Sequence, residues 1–162
     1  MVSPQEFSKR AKEIIGEILY ITIATASKEG IPWNSPVYSA YDENYNFYWA
    51  SAIDAVHSSN IAVNNQVFLV IYNSTAPAGT GEGVYVQAKA FQLTDKNEIS
   101  HALQYLEGRI NKQPPAPTDF LGTMPRRVYK AVPEKAWMNI DATVDGHFVD
   151  RRIELDLGLL VK

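Results

Sequence analysis

The residues of this chain that could do chemistry are concentrated between Phe47 and Val67, where an aromatic strand ends in small residues and passes directly into a short helix. A strand that feeds a helix N-terminus leaves backbone N–H groups free where an anion can sit. The polar and aromatic side chains here are Tyr48, Trp49, Ser51, His57, Ser58 and Ser59. Together they predict a socket for an aromatic ligand that carries a phosphate, with His57 as a possible positive charge. Plain N-capping by Ser or Asp is the structural alternative.

Two loop motifs are similar to phosphate or calcium sites but lack the partners those sites need. Gly79–Gly83 is glycine-rich, yet no Lys-Ser pair follows it and no helix opens on it, so it predicts a flexible hairpin loop. The spacing of Asp42, Asn44 and Asn46 matches the start of a calcium loop, but Phe47 stands where that loop requires glycine. Neither motif therefore predicts an ion site.

Metal and nucleophile motifs are also missing from the sequence. The three histidines, His57, His101 and His147, fall in separate predicted elements without a paired spacing to carboxylates, and there is no cysteine. No Gly-x-Ser-x-Gly elbow places a serine as a nucleophile. We therefore assign no metal ligand and no catalytic residue. If the chain is an enzyme, its reactive chemistry belongs to a bound cofactor.

Composition limits the class of protein. A length of 162 residues suits one domain that spans residues 1–162. Fifteen Lys and Arg against eighteen Asp and Glu give a net charge of −3, which argues against nucleic-acid or anionic-membrane partners. The N-terminal segment does not have the pattern of a secretory signal, and no apolar run approaches the ~20 residues of a membrane span. We expect a cytoplasmic protein.

Local patterns predict three helices and about eight strands. Ser3 to Glu6 form a capping box with a first-turn proline, opening a helix over about residues 4–16. Asp54 is the predicted cap of a helix over about residues 55–64, and Asp95 opens a third helix. The predicted strands are residues 18–25, 33–41, 47–51, 67–72, 84–93, 128–132, 136–140 and 148–155. Short turns between strands favour an antiparallel barrel or sandwich over a parallel sheet.

The order of these segments resembles the FMN-binding split-barrel family, the pyridoxamine 5′-phosphate oxidase-like proteins. The segments that carry the resemblance are IATASKEGIPWNSPVYSAYDE, FYWAS, HSSNIAVNNQVFLVIY and GVYVQAKAFQL, followed more weakly by residues 129–152. The resemblance implies a mainly β fold, an antiparallel six-stranded split β-barrel with flanking helices. It also implies a homodimer that binds two FMN molecules in clefts between the subunits.

The resemblance further implies which residues would contact FMN. Strand residues Asn34, Ser35, Pro36 and Val37 would lie along the flavin ring, and Trp49, Ala50 and Ser51 would line the ring and ribityl chain. His57 and Ser58 fall at the phosphate, and Trp137 and Arg151 would reach the flavin of the other subunit. The sequence departs from the oxidases where Asn34 and Ser39 replace an Arg and a Lys, where Val56-His57 or His57-Ser58 replaces an Arg-Lys pair, and in an insertion over residues 142–147.

These departures favour retention of the flavin without the vitamin B6 reaction. The leading hypothesis is an FMN-dependent oxidoreductase of unknown substrate. The alternatives are a flavin- or heme-binding module without catalysis and a reductase that uses the deazaflavin F420, which the weak cationic character of the phosphate pocket disfavours. Six Phe, three Trp and nine Tyr are many for one small barrel to bury, which supports the expected homodimer.

Overall fold

An antiparallel sheet forms the body of the protein. The structure, a computed structural model, describes residues 3–161 and, within them, all side chains except those of Asp141, Thr143 and Phe148. The helices are α1 (Pro4–Glu17), α2 (Val56–Val63), α3 (Lys96–Gly108) and α4 (Leu157–Val161), with a 3-10 helix at Pro117–Phe120. The strands are β1 (Tyr20–Ala26), β2 (Pro32–Tyr38), β3 (Ala40–Tyr41), β4 (Phe47–Ala52), β5 (Gln66–Tyr72), β6 (Gly83–Gln92), β7 (Arg126–Val144) and β8 (His147–Leu155).

The sheet curls because its two ends are covalently joined. The strand order is β2-β1-β5-β6-β7-β4-β3, and β8 pairs with β7 outside this path. β2 and β3 lie at opposite ends of the order, yet only Ser39 separates them along the chain. The sheet must therefore bend until its ends meet, which produces a barrel with a split. This confirms the predicted mainly β fold, an antiparallel split β-barrel with flanking helices.

The described residues form eight strands where the resemblance implied six, and at two places the chain is divided into strands differently from the prediction. The predicted strand 33–41 is divided at Ser39, whose N–H donates to the Leu19 carbonyl at 3.0 Å. The predicted strands 128–132 and 136–140 are one continuous strand, β7, because Pro133 lies at a β-bulge opposite Gln87 and Ala88. A bulge accommodates a proline that a regular central ladder would exclude.

Capping residues set the starts of α1 and α3 as the sequence predicted. The Ser3 hydroxyl accepts from the Glu6 N–H at 3.2 Å while the Glu6 carboxylate accepts from the Ser3 N–H at 2.7 Å. The Asp95 carboxylate accepts from the N–H groups of Asn97 and Glu98 at 2.9 and 3.0 Å. Among the helices of residues 3–161, none combines the length and apolar character needed to cross a membrane.

The start of α2 differs from the prediction. Asp54 does not cap it. The N-cap residue is Ala55, and in the described structure no side chain accepts a hydrogen bond from this end of the helix. The first-turn N–H groups of a helix have no intrahelical partners, so those of α2 stay available to another acceptor.

Two apolar clusters form the core. The larger fills the barrel and includes Trp49, whose ring stacks on Tyr129 with centroids 5.5 Å apart. The smaller lies between the opposite face of β4 and α3, around Tyr48 and Leu103. Alternate residues of β4 therefore enter different clusters, as strand geometry requires.

The Arg109 side chain joins α3 to the end of α1. Its guanidinium donates to the carbonyls of Ile15, Gly16 and Ile18 at 2.7, 2.9 and 2.8 Å and to the Ser39 carbonyl at 3.0 Å. The last carbonyls of a helix lack intrahelical donors, so one arginine satisfies several of them. This contact also fixes Ser39, the residue at which the sheet closes.

Candidate ligand-binding site

His57 is the point at which three elements meet. It lies in the first turn of α2, and the residue is 8% exposed. Its Nδ1 is 3.1 Å from the Ser35 hydroxyl on β2, and its Nε2 is 2.8 Å from the Ser51 hydroxyl on β4. Ser35, Ser51 and His57 were all predicted as site residues, and the structure brings their side chains together. We refer to these three residues as the His57 cluster.

The protonation state of His57 limits which groups of the His57 cluster can donate and which can accept hydrogen bonds. The Trp33 indole N–H donates to the Ser35 hydroxyl at 3.0 Å. Burial lowers the pKa of His57 below its ordinary value, so the neutral ring predominates at pH 7. A neutral imidazole has one donor and one acceptor nitrogen, so one serine donates to the ring and the other accepts from it. His57 therefore orients two hydroxyls and can relay a proton, but it does not supply a fixed positive charge.

The Ser58 side chain is already committed to the loop before α2. Its hydroxyl donates to the Ala52 carbonyl at 2.8 Å, and the residue is buried. The bond holds the end of β4 against the first turn of α2. What this region offers a ligand is therefore the free N–H groups of the α2 start rather than the Ser58 hydroxyl.

β2 presents a polar edge beside the His57 cluster. It is a terminal strand of the sheet, so half of its backbone N–H and C=O groups point away from the ladder. Asn34 and Pro36 are exposed, Ser35 is half-buried and Val37 is buried in the barrel. Asn34 and Pro36 therefore share the outer face, while Ser35 and Val37 face inward.

Trp49 and Ala50 do not join the His57 cluster. The Trp49 ring is 0% exposed inside the barrel, and its indole Nε1 has no hydrogen-bond partner among the described residues. Ala50 is half-buried on the opposite face and packs against the smaller core cluster. Within one chain, Ser51 is the member of this segment that reaches the cluster.

Arg151 and Trp137 lie on opposite faces of the β7–β8 hairpin. Trp137 is paired with Glu154 and Tyr85, and its ring stacks on Phe68 at 6.1 Å. Arg151 is exposed and pairs with Ile140, whose side chain lies on the opposite face of the hairpin from that of Trp137. The structure therefore separates the two residues that the resemblance grouped.

Arg152 occupies the Trp137 face instead. Its guanidinium lies 4.3 Å from the centre of the Tyr85 ring and donates to the Tyr85 hydroxyl at 3.2 Å and to the Asp150 carboxylate at 2.5 Å. The sequence did hold a signal for this residue. The two-residue turn Asp145-Gly146 pairs Val144 with His147, and counting back along both strands puts Arg152 on the Trp137 face.

The two arginines at the start of β7 have structural contacts. Arg127 is buried, and its guanidinium donates to the carbonyls of Gly122, Met124 and Arg126 at 2.6, 2.6 and 2.8 Å. Arg126 is exposed and lies 5.6 Å from the centre of the Phe120 ring. Arg127 therefore holds the segment before β7, and as the cross-strand partner of Ser51 it lies on the same face of the sheet as that member of the His57 cluster.

The outer face of the sheet carries a row of partly exposed side chains. Strand pairing aligns Pro36, Thr22, Val70, Tyr85 and Trp137 across five adjacent strands. Four strand spacings place Pro36 about 19 Å from Trp137 along the sheet. One tricyclic ring cannot touch both residues within a single chain.

Solved structures share this fold at low sequence identity. The heme binding protein from Mycobacterium smegmatis has a TM-score of 0.70 at 15% identity, covering 99% of this chain and 61% of that chain. Campylobacter jejuni ChuZ has a TM-score of 0.71 at 14% identity, covering 93% of this chain and 61% of that chain. HutZ, the heme storage protein from Vibrio cholerae, has a TM-score of 0.61 at 16% identity, covering 86% and 97%. At these identities the likeness establishes the fold alone.

A family model agrees with the fold at the level of sequence. No curated protein matches the chain. The model described as pyridoxamine 5′-phosphate oxidase matches residues 7–139, a span that runs from α1 into β7 and contains the His57 cluster. The chain therefore belongs to the pyridoxamine 5′-phosphate oxidase family.

Proposed function

We propose that this chain binds FMN as a homodimer and acts as a flavin-dependent oxidoreductase on a substrate still to be identified. The observation that carries the proposal is the convergence of β2, β4 and α2 at the His57 cluster. The free edge of β2, the Ser51 hydroxyl and the N-terminus of α2 then border one region. These groups suit, respectively, the flavin ring, the ribityl chain and the phosphate of FMN.

The phosphate end fits FMN mainly through hydrogen bonds, because the Arg127 guanidinium opposite Ser51 is already bonded to three backbone carbonyls. The uncapped start of α2 offers N–H donors, and the helix dipole favours an anion there. When His57 Nε2–H donates to Ser51, the Ser51 hydroxyl proton is free to donate to the ligand. Val56, 45% exposed, adds an apolar side chain at this turn. We expect affinity in the micromolar range, because guanidinium–phosphate bonds are stronger than neutral ones.

The ring end fits the free edge of β2. Unpaired N–H and C=O groups on a terminal strand match the alternating donors and acceptors of a flavin pyrimidine ring. Asn34 adds an exposed amide on the same strand. FMN, when bound, would supply the hydride or electron transfer. The residues of the chain would hold and orient it, and the His57 imidazole would be able to take or give a proton through Ser51.

A second copy completes the proposed cleft. Because Pro36 and Trp137 of one chain lie too far apart to contact one ring, Trp137 and Arg152 would act on the flavin bound by the other subunit. Phe68 and Tyr72, 36% and 44% exposed, add apolar surface to the same outer face. An aromatic face of this kind favours association.

An FMN titration tests the proposal. Flavin fluorescence is followed while purified protein is added, and saturation at micromolar protein is expected. The double variant Ser51→Ala/His57→Gln should bind at least tenfold more weakly, about 1.4 kcal/mol. The matched control Ser74→Ala/His147→Gln makes the same changes at exposed positions and should bind as the native chain does. No binding at micromolar concentration, or equal loss in both variants, contradicts the proposal.

Binding of heme or flavin without turnover is the second candidate. It is favoured by one feature of the His57 cluster: both ring nitrogens are engaged by serines, and no carboxylate joins them among the described residues. The solved structures named above as heme binding and heme storage proteins are consistent with it. Reduction of bound FMN by NADH or NADPH followed by reoxidation supports the oxidoreductase. Redox inertness with tight ligand binding, or a heme Soret band without flavin binding, supports the module.

A further inference from the structure

A cavity unrelated to the His57 cluster lies beneath the segment Gly79–Gly83. Its volume is about 870 Å³, and its walls come from α1, this segment, β7 and β8. The apolar wall residues are Phe7, Met138, Ile140 and Ile153. A volume of this size lies within the range of sites for small organic molecules.

The charges at the cavity wall are paired with each other. The Arg10 guanidinium donates to the Glu82 carboxylate through Nε at 2.9 Å and Nη2 at 2.5 Å, and through Nη1 to Glu13 at 2.9 Å. These bonds raise the pKa of Arg10 above its ordinary value. Among the residues that line the cavity, Arg10 is the one cation, and its two carboxylate partners leave it little charge to offer an anionic ligand.

The uncharged polar side chains at the wall are also bonded. Asn139 donates to the Gly81 carbonyl at 2.8 Å and accepts from the Gly83 N–H at 2.6 Å. The Thr80 hydroxyl donates to the Pro77 carbonyl at 2.9 Å. These bonds pin the covering segment to β7. The wall therefore offers a ligand mainly its apolar surface.

We propose that this cavity binds an uncharged, predominantly apolar small molecule, such as an aromatic or isoprenoid compound. Burial of the ligand against Phe7, Met138, Ile140 and Ile153 supplies the affinity, because apolar area removed from water is the main favourable contribution. The Arg10–Glu82 pair at the wall then acts against ligands with a negative charge. This cavity shares no lining residue with the His57 cluster.

Two fluorescent probes with the same ring skeleton test the charge selectivity. N-phenyl-1-naphthylamine is neutral, and 8-anilino-1-naphthalenesulfonate differs from it by one sulfonate. Titration of the native chain should give saturable binding of the neutral probe, one per chain, and at least tenfold weaker binding of the sulfonate. Glu82→Gln removes one carboxylate from Arg10 and should improve sulfonate binding by about threefold, the value of an exposed ion pair.

Two variants of β7 test the location. Ile140→Glu puts a charge on the cavity wall, while its cross-strand partner Arg151 compensates that charge within the sheet. It should weaken binding of the neutral probe at least tenfold. Val144→Glu makes a similar change on the same strand, at a residue 38% exposed that does not line the cavity, and should leave binding within about twofold.

The proposal is overturned if the neutral probe does not bind, if Ile140→Glu leaves its affinity unchanged, or if both probes bind equally well. A change of oligomeric state in Ile140→Glu, measured by sedimentation, also overturns it, because the wall would then be a contact between copies. Saturating FMN should not displace the neutral probe. If FMN does not bind but the neutral probe does, the result contradicts the proposed function and does not contradict the proposal for this cavity.

Discussion

At the scale of single residues, His57 has the strongest link between position and chemistry. Its ring is buried between two hydroxyls, so the charged form loses solvation that no charged partner in the His57 cluster replaces. The same burial that disfavours the imidazolium holds the neutral ring between the Ser35 and Ser51 hydroxyls.

Stability should depend on pH through His57. Because its pKa is lowered in the folded state, the unfolded chain binds more protons near and below the ordinary value of 6.5. The stabilisation is fully present above pH 6.5 and is lost as the pH falls through the interval down to the folded pKa. The free energy of unfolding of the native chain should therefore fall more steeply between about pH 7 and pH 5 than that of His57→Gln.

Chemical denaturation at several pH values, with an NMR titration of His57, measures this effect. His147→Gln, at an exposed histidine, is the control and should follow the native chain. A His57 that titrates at or above 6.5 would contradict the assignment of a neutral buried ring.

Arg152 and Arg151 provide a matched pair at neighbouring positions. Arg152 lies on the Trp137 face against Tyr85, whereas Arg151 lies on the other face. Arg152→Met should weaken FMN binding at least tenfold, because a guanidinium against an aromatic ring favours a flat anionic ligand. Arg151→Met should change FMN binding by less than about twofold. Fluorescence titration of both variants checks the prediction, and the reverse order of effects would refute the assigned face.

At the scale of elements, Arg109 connects the end of α1, the start of β3 and the end of α3. Arg109→Met keeps much of the side-chain volume but removes the donors to four carbonyls, and should cost about 2–4 kcal/mol of unfolding free energy. Lys112→Met, at an exposed position shortly after α3, should cost less than about 0.5 kcal/mol. Denaturant unfolding measures both, and equal costs would show that the carbonyl contacts add no stability.

At the scale of the whole molecule, the outer face of the sheet is the surface through which the proposed homodimer would form. Phe68→Lys, at a residue 36% exposed and stacked on Trp137, should prevent the proposed homodimer, because a lysine cannot be desolvated cheaply in an apolar interface. Ile110→Lys, at a residue 37% exposed beyond the end of α3, is the control. Sedimentation at micromolar protein should show dimers for the native chain and the control, and monomers for Phe68→Lys. A monomeric native chain would remove the basis of the shared cleft.

Much of the fold could be predicted from the sequence because its signals are local. The Ser3–Glu6 capping box and the Asp95 cap act within one helical turn, and alternation of buried residues identifies strands such as β1 and β5. The residue types of the His57 cluster were also readable, since Ser51 and His57 stand where a predicted strand passes into a predicted helix and Ser35 lies in a segment that carries the family resemblance. These features depend on neighbours in the chain.

Contacts between distant segments were decided by the tertiary structure. That both ring nitrogens of His57 are engaged depends on the curl of the sheet, which brings β2 to the end of β4. The location of Trp49 inside the barrel, the continuity of β7 through Pro133 and the face taken by Arg152 depend on strand register. Register reverses the direction of every side chain when it moves by one residue, so composition and spacing alone cannot fix it.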